Sequence, residues 1–376
     1  MYTIENSKHF VKHTDESGAV YYLLSTHVTP QQQGFYFVNP SMDDEARYLW
    51  FYCSFPPASY RTLGVVDFTT DEVRHFPETM FSDATPLVDT QTGYAYYADL
   101  QAVYKHSPKA GSLPEKVCDL PSAFFENDAR LLNPATHLTF SHDHKKMFLD
   151  ASTTKGWVAG ALTLSTGEFE VYCRPEFCRN HGQFNPVYED IALMAEDFAP
   201  GFCIRTDENG VFMRLWTVNS KGEEKVWPPL NLERASHEWW SADGRKIYYC
   251  KYNTDWVNNG VCSIDIFTGE HKLVAPVAAW HGFTNTDESL IVFDENNGFY
   301  RGCPSKVGMY NVKTGKKVYI NTQNPPINPP ESPSQYHLDP HPRYNVKDKY
   351  IVFTTAVNGH PDVAVAKTSD ILPLTE

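Results

Sequence analysis

Apolar and polar residues alternate along this chain in short runs separated by polar turns. VVDFTTDEVRHF at Val65, ALTLSTGEFEVY at Ala161, LWTVNSKGEEKV at Leu215, SIDIFTGEHKLV at Ser263 and MYNVKTGKKVYI at Met309 share one layout. Each is an alternating run, a polar turn and a second alternating run, which is the signature of a β-hairpin. AVYKHSPKAGSL near Ala102 and DVAVAKTSDIL near Asp362 are weaker copies. Between the hairpins lie further strand-like runs, among them RYLWFYCSF, KKMFLDAS, RKIYYCKYN, SLIVFDEN and KYIVFTTAV. Strands grouped in fours, with no convincing amphipathic helix, predict an all-β fold, a seven-bladed β-propeller spanning residues 1–376 as one domain. An N-terminal stretch, about residues 6–28 and centred on YYLLS at Tyr21, is expected to add a strand to the last blade and close the ring.

A second periodicity runs in phase with the first. HLTFSHDHKK at His137, HGQFNPVYED at His181, HEWWSADGRK at His237, HGFTNTDESL at His281 and HPRYNVKDKY at His341 each carry Ser or Asn four residues on, with acidic residues following. These starts lie roughly 44 to 60 residues apart, the period of a propeller blade. If each segment begins the inner strand of a blade, all five imidazoles face one mouth of a shared channel. The first two inner strands are expected near Gln33 and Thr85. Inherited repeats could keep a histidine without using it, but converging imidazoles suit a metal or proton-transfer site.

Composition narrows the partners. The formal charge of −14 argues against nucleic acid or an anionic membrane. An anionic substrate would need a local positive centre. The eight cysteines are scattered without a CxxC pair, so buried free thiols are expected rather than a disulfide scaffold. No apolar leader opens the chain and no run approaches a membrane span, so a soluble, cytoplasmic protein is expected. Two stretches interrupt the pattern: residues 220–236 and the Pro-rich residues 322–340, which run directly into His341. A long loop feeding a channel mouth is more often functional than decorative.

Several side chains could carry chemistry. His237 suits a general base, or else a structural hydrogen bond to a backbone carbonyl. Arg214, in an otherwise apolar strand, either pairs with a carboxylate or faces a developing negative charge. His281, with Gln335, His337, Asp339 and His341, offers imidazole, amide and carboxylate donors. That mixture fits Mn²⁺ or a similar divalent ion better than a thiolate-seeking one. His137, His181 and the aromatic Trp239 are candidate sugar contacts; His142 and His144 read as solvated.

MRLWTVNSKG, SHEWWSADGRKIYY, HGFTNTDESLIVFD and DPHPRYNVKDKYIVFTTAVNGHPDVAVAK together resemble the oligogalacturonate lyases, propeller enzymes that cleave short pectic oligosaccharides by β-elimination. The resemblance runs over nearly the whole chain. It implies His237 as proton abstractor, Arg214 as stabiliser of the charged intermediate, and manganese held by His281 and a Gln-x-x-His-Pro-His-Pro cluster. Here that cluster reads QYHLDPHP, one residue longer. His341 carries over, Gln335 carries over if the extra residue loops out, and His337 or Asp339 fills the remaining place. Gln32 and Gln33 replace a His and an Arg of the family's first blade, which bears on the exact substrate. The expected partner is a uronic-acid oligosaccharide; the alternative reading is a sugar-binding or scaffold propeller without catalysis.

Overall fold

The computed structural model describes residues 1–81, 86–197, 206–208, 210–253, 255, 257–295, 304–325 and 338–376. Seven antiparallel sheets form a seven-bladed β-propeller. From inner to outer strand, blade one comprises Gln31–Gln33, Tyr48–Ser54, Arg61–Asp67 and Glu72–Phe81. Blade two runs from Leu87–Val88 to Glu115–Asp119, and Thr85 lies outside the described residues. Blades three to six have inner strands at Thr139–Phe140, Arg179–Phe184, Arg234–Trp240 and Ala279–Thr284. The inner strand of blade seven is Arg343–Asn345.

Two local devices repeat and explain why the chain folds into these units. In the outer hairpins Gly167, Gly222, Gly269 and Gly315 take φ of 73°, 75°, 73° and 71°, a left-handed conformation that costs a side-chain-bearing residue more. The Gly269 N–H closes its turn on the Asp265 carbonyl at 2.8 Å. In blade one Asp71 fills that slot with φ 56°. At the far end of the inner strands, the repeated Ser or Asn caps the next turn. Ser241 Oγ accepts from the Lys246 N–H at 2.8 Å and donates to Asp243 at 2.6 Å. Asn285 Oδ1 accepts from the Leu290 N–H at 2.9 Å. Half of the repeated motif is therefore turn chemistry.

Blade seven takes its outer strands from the N-terminal part of the chain. Val20–Leu24 pairs with Asp362–Lys367, Leu23 opposite Ala364 and Tyr21 opposite Ala366, and Phe10–Thr14 pairs outside it. Fully buried Leu23, Val292, Met309, Ile351 and Phe353 then pack blade seven against blade six. Cys53, Cys118, Cys173, Cys178, Cys250 and Cys262 are free thiols. Among the described residues no helix is long and apolar enough to cross a membrane.

After the inner strand of blade one, the chain does not turn outward at once. It enters the channel, where Tyr36 and Phe37 are buried. Asn39 Nδ2 donates to the Leu138 carbonyl at 2.8 Å, and Arg343 Nη1 donates to the Phe37 carbonyl at 2.9 Å. The segment is thus tied to blades three and seven. Beyond it, toward the ends of the inner strands, opens a cavity of ≈ 370 Å³ lined by Thr139, Gln183, Trp240, Thr284 and Asn345.

Candidate active site

The five repeat histidines gather on the other side of this plug. Tyr36 lies 4.6 Å from the His137 ring and 4.7 Å from that of His341, centroid to centroid, while Phe37 is 5.2 Å from His281 and 6.2 Å from His237. Around the ring, His137 and His181 are 4.9 Å apart, His237 and His281 4.1 Å, and His281 and His341 4.4 Å.

Backbone irregularity aims them. His181, His237 and His341 have φ of 54°, 50° and 47°. In blade four the pairing register slips between Asn180 and Gln183, and in blade five between Ser236 and Glu238, so His181 and His237 lie within β-bulges. A bulge redirects a side chain that strict alternation would send to one sheet face. Each non-glycine residue held in this region costs about 1–3 kcal/mol, and three of the five repeat histidines carry that strain.

In blade six the slip falls at Trp280, leaving His281 directly opposite Asp294. That register builds a support. His281 Nδ1 lies 3.0 Å from Asp294 Oδ2, the His281 N–H donates to Asp294 Oδ1 at 2.7 Å, and the His341 N–H donates to Asp294 Oδ2 at 3.2 Å. One buried carboxylate therefore positions two histidines from adjacent blades. Burial pushes its carboxyl up to about 8, against the opposing pull of those N–H groups. With Nδ1 of His281 engaged, Nε2 is the nitrogen left to face a ligand. Donor atoms of His281, Asp339 and His341, all buried, lie within 4.8 Å of one another. Gln335 and His337 lie outside the described residues.

Arg214 is held by two carboxylates: Nε to Glu238 and Nη1 to Asp197, both at 3.1 Å. Burial opposes its charge, but Glu238 and Asp197 outweigh burial and hold the guanidinium protonated. Burial, then His281, then Arg214 push the His237 imidazole well below its ordinary range; the Trp280 backbone and Asp197 pull the other way. His237 is therefore neutral at physiological pH and able to accept a proton.

The expected sugar contacts divide. His181 is half-buried, its Nδ1 2.5 Å from Asn180 Oδ1, while His137 is buried and stacked on Tyr36. Trp239 requires correction. It is fully buried between blades, stacked on Tyr248 at 5.5 Å, with its indole N–H donated to Thr284 Oγ1 at 3.2 Å. The bulge at His237 shifts the register, so a residue two positions on faces the packed interior. The half-exposed aromatic beside the base is Trp280, 4.5 Å from the His237 ring. Sequence reasoning passed over Trp280, Asp294, Tyr36 and Phe37. Only the adjacency of Trp280 to His281 in WHGFTN could have flagged the first.

The channel of this propeller gathers imidazoles, a shielded arginine and a buried carboxylate, groups able to hold a cation and to move a proton. A family profile described as oligogalacturonate lyase matches residues 160–372, and the chain belongs to that family. It is 27% identical over 221 residues to an oligogalacturonate lyase of Dickeya dadantii, covering 56% of this chain and 55% of the relative. Over 222 residues it is 29% identical to an oligogalacturonide lyase of Pectobacterium atrosepticum, with the same coverage. The alignment thus spans about half the length of the curated relatives it matches. Two solved structures share the fold over almost the full chain. One is an oligogalacturonate lyase in complex with manganese (TM-score 0.75, 18% identity, 96% of this chain and 97% of that one). The other is an oligogalacturonate lyase of Vibrio parahaemolyticus (TM-score 0.74, 15% identity, 95% and 96%).

Proposed function

We propose that this protein is a metal-dependent lyase that cleaves oligogalacturonides or closely related uronate oligosaccharides by β-elimination. The observation that carries this reading is the juxtaposition of a neutral imidazole, His237, with the His281–Asp339–His341 donor set, His237 and His281 being 4.1 Å apart. The names of the relatives support the substrate class, and the neighbour solved with manganese supports the ion.

The residues present fit a divalent ion. Two imidazoles and a carboxylate converge, and Asp294 fixes the His281 tautomer that leaves Nε2 toward the donor set. Nitrogen and oxygen donors without thiolate suit Mn²⁺; Gln335 and His337 remain the further candidate ligands. What an ion supplies there is Lewis-acid withdrawal of charge from the uronate carboxylate, which acidifies the C5 proton. His237 takes that proton. Arg214, oriented by Glu238 and Asp197, meets the negative charge that develops, and the C4–O bond breaks, its oxygen taking a proton from solvent water, to leave a 4,5-unsaturated sugar and a free hydroxyl on the departing fragment. Trp280, with His181, replaces Trp239 as the surface offered to the sugar rings.

Digestion of trigalacturonate in the presence of Mn²⁺ tests the reading. Ultraviolet absorbance of the unsaturated product should grow with time. Its absence on every uronate oligosaccharide tried, with bound metal verified, would overturn the assignment.

A further inference from the structure

A second cluster of the same donor types stands apart from the channel, at the seam where the propeller closes. His27 follows the closing strand Val20–Leu24 and leads into blade one; His360 and Asp362 belong to the hairpin turn of blade seven. His27 Nε2 lies 2.7 Å from Asp362 Oδ1, and His360 Nε2 lies 3.5 Å from Asp362 Oδ2. The two imidazole rings are 4.5 Å apart, and the donor atoms all fall within 4.8 Å of one another.

The carboxylate is the unusual member. Asp362 is 1% exposed, and its Oδ2 makes no hydrogen bond among the described residues. Its ion-pair partners among those residues are the two imidazoles, with no lysine or arginine. A buried carboxylate so poorly compensated is costly unless a cation meets it. The imidazoles are different: their side chains are 35% and 37% exposed, so water can reach one side of the group.

We infer that His27, His360 and Asp362 form a second divalent-metal site, able to hold Zn²⁺ and independent of the channel histidines. Bonds of about 2.0–2.1 Å to a tetrahedral ion put neighbouring donors roughly 3.3 Å apart. The two imidazoles meet different oxygens of Asp362, at 2.7 and 3.5 Å, and all the donor atoms lie within 4.8 Å of one another, so side-chain rotation brings one oxygen and both Nε2 atoms onto a shared ion. Each imidazole binds as the tautomer with its proton on Nδ1, and Nε2 supplies the lone pair. Three protein donors and an open, solvated side leave the fourth position to water. This count of three protein donors and one water matches the four-coordinate preference of Zn²⁺, so it is geometry rather than donor type that suits this ion. The site joins the segment leaving the N-terminal strand to the turn that precedes Asp362–Lys367, so an occupied site clamps the closure of the ring. Because the ion binds the folded protein and not the separated segments, it raises thermal stability.

The experiment is a Zn²⁺ titration of the full chain by competition with a chromophoric chelator, paired with thermal melts. The reference is wild type and the variant is His27→Ala/His360→Ala, whose lost side chains are partly exposed. Wild type should bind one equivalent more than the variant, and Zn²⁺ should raise its Tm further. In a His281→Ala/His341→Ala background the seam equivalent should persist, which separates the two sites. Asp362→Asn, which keeps the shape and removes the charge, should lose the same equivalent. Equal stoichiometry and an equal Tm response in wild type and the His27→Ala/His360→Ala variant would overturn the inference.

Discussion

Two trios of identical composition, each two histidines and one aspartate, occupy different parts of this propeller and are built differently. In the channel, His281, Asp339 and His341 are all buried, and a fourth residue outside the trio, Asp294, fixes the imidazole it touches and the backbone of both histidines. At the seam, His27 and His360 are partly exposed, and among the described residues the only carboxylate they pair with is the one that would itself be a ligand. The first arrangement has His281 on an inner strand, Asp339 and His341 in the segment entering blade seven, Asp294 bonded to both histidines, and a neutral imidazole beside it. The second joins two segments distant in sequence, and its imidazoles stand partly in solvent. Donor identity alone therefore does not separate a reactive centre from a clamp. What stands behind and beside the donors does.

The largest effect that can test this contrast concerns His237. Replacing it with Ala should lower turnover by about 10² to 10⁴, the usual contribution of a positioned general base, while metal content stays as in wild type. Near-normal turnover would remove the channel's claim to chemistry and make the two trios equivalent. A smaller change comes from Asp294→Asn, which keeps the shape and replaces one of the two acceptor oxygens behind His281 and His341 by an amide NH₂. Loss of such an outer support weakens metal binding by about 10–100-fold. Affinity measured separately should fall at the channel and hold at the seam; an equal fall at both would erase the distinction.

The mildest test is pH. Only neutral His237 can accept a proton, and its folded value lies well below the ordinary one. Turnover should therefore rise with pH on the acid side of about 6.5 and be level through neutrality. A kcat profile at saturating metal whose acid limb is centred at or above that value would contradict the buried, positively flanked environment described for this imidazole.

Much of this was legible in the chain. The Thr-Gly hairpins and the histidine-to-Ser/Asn spacing carry the blade count and the common mouth, because turn capping and strand register are local and repeat faithfully. What escaped is non-local. GFYFVNP reads as an ordinary apolar strand, and nothing in it announces that Tyr36 and Phe37 leave the sheet to fill the channel. Asp294 sits in SLIVFDEN as any strand-end acid does. Asp150 occupies a similar position between blades three and four, accepting N–H bonds from Thr136 and Gly182; only the three-dimensional register reveals that Asp294 also meets a histidine ring. Trp239 was misjudged because period-two reasoning holds only until a bulge, and the bulge lies at His237. The pairing of Arg214 with both Glu238 and Asp197 joins residues up to 24 apart in the chain across separate strands.

The pairing of Val20–Leu24 with Asp362–Lys367 also sets a timetable for synthesis. The early strand emerges from the ribosome long before its partner exists and must wait through the making of six blades. During that interval it is an unsatisfied edge, and such edges attract the wrong neighbours. The later blades can assemble as they appear, but the circle cannot lock until residues 362–367 are free to reach back. Cutting the polypeptide elsewhere and splicing Val20 by a short turn behind Lys367, the end of the last blade's third strand, would remove that wait. It would also turn the closing junction of the ring into an ordinary hairpin.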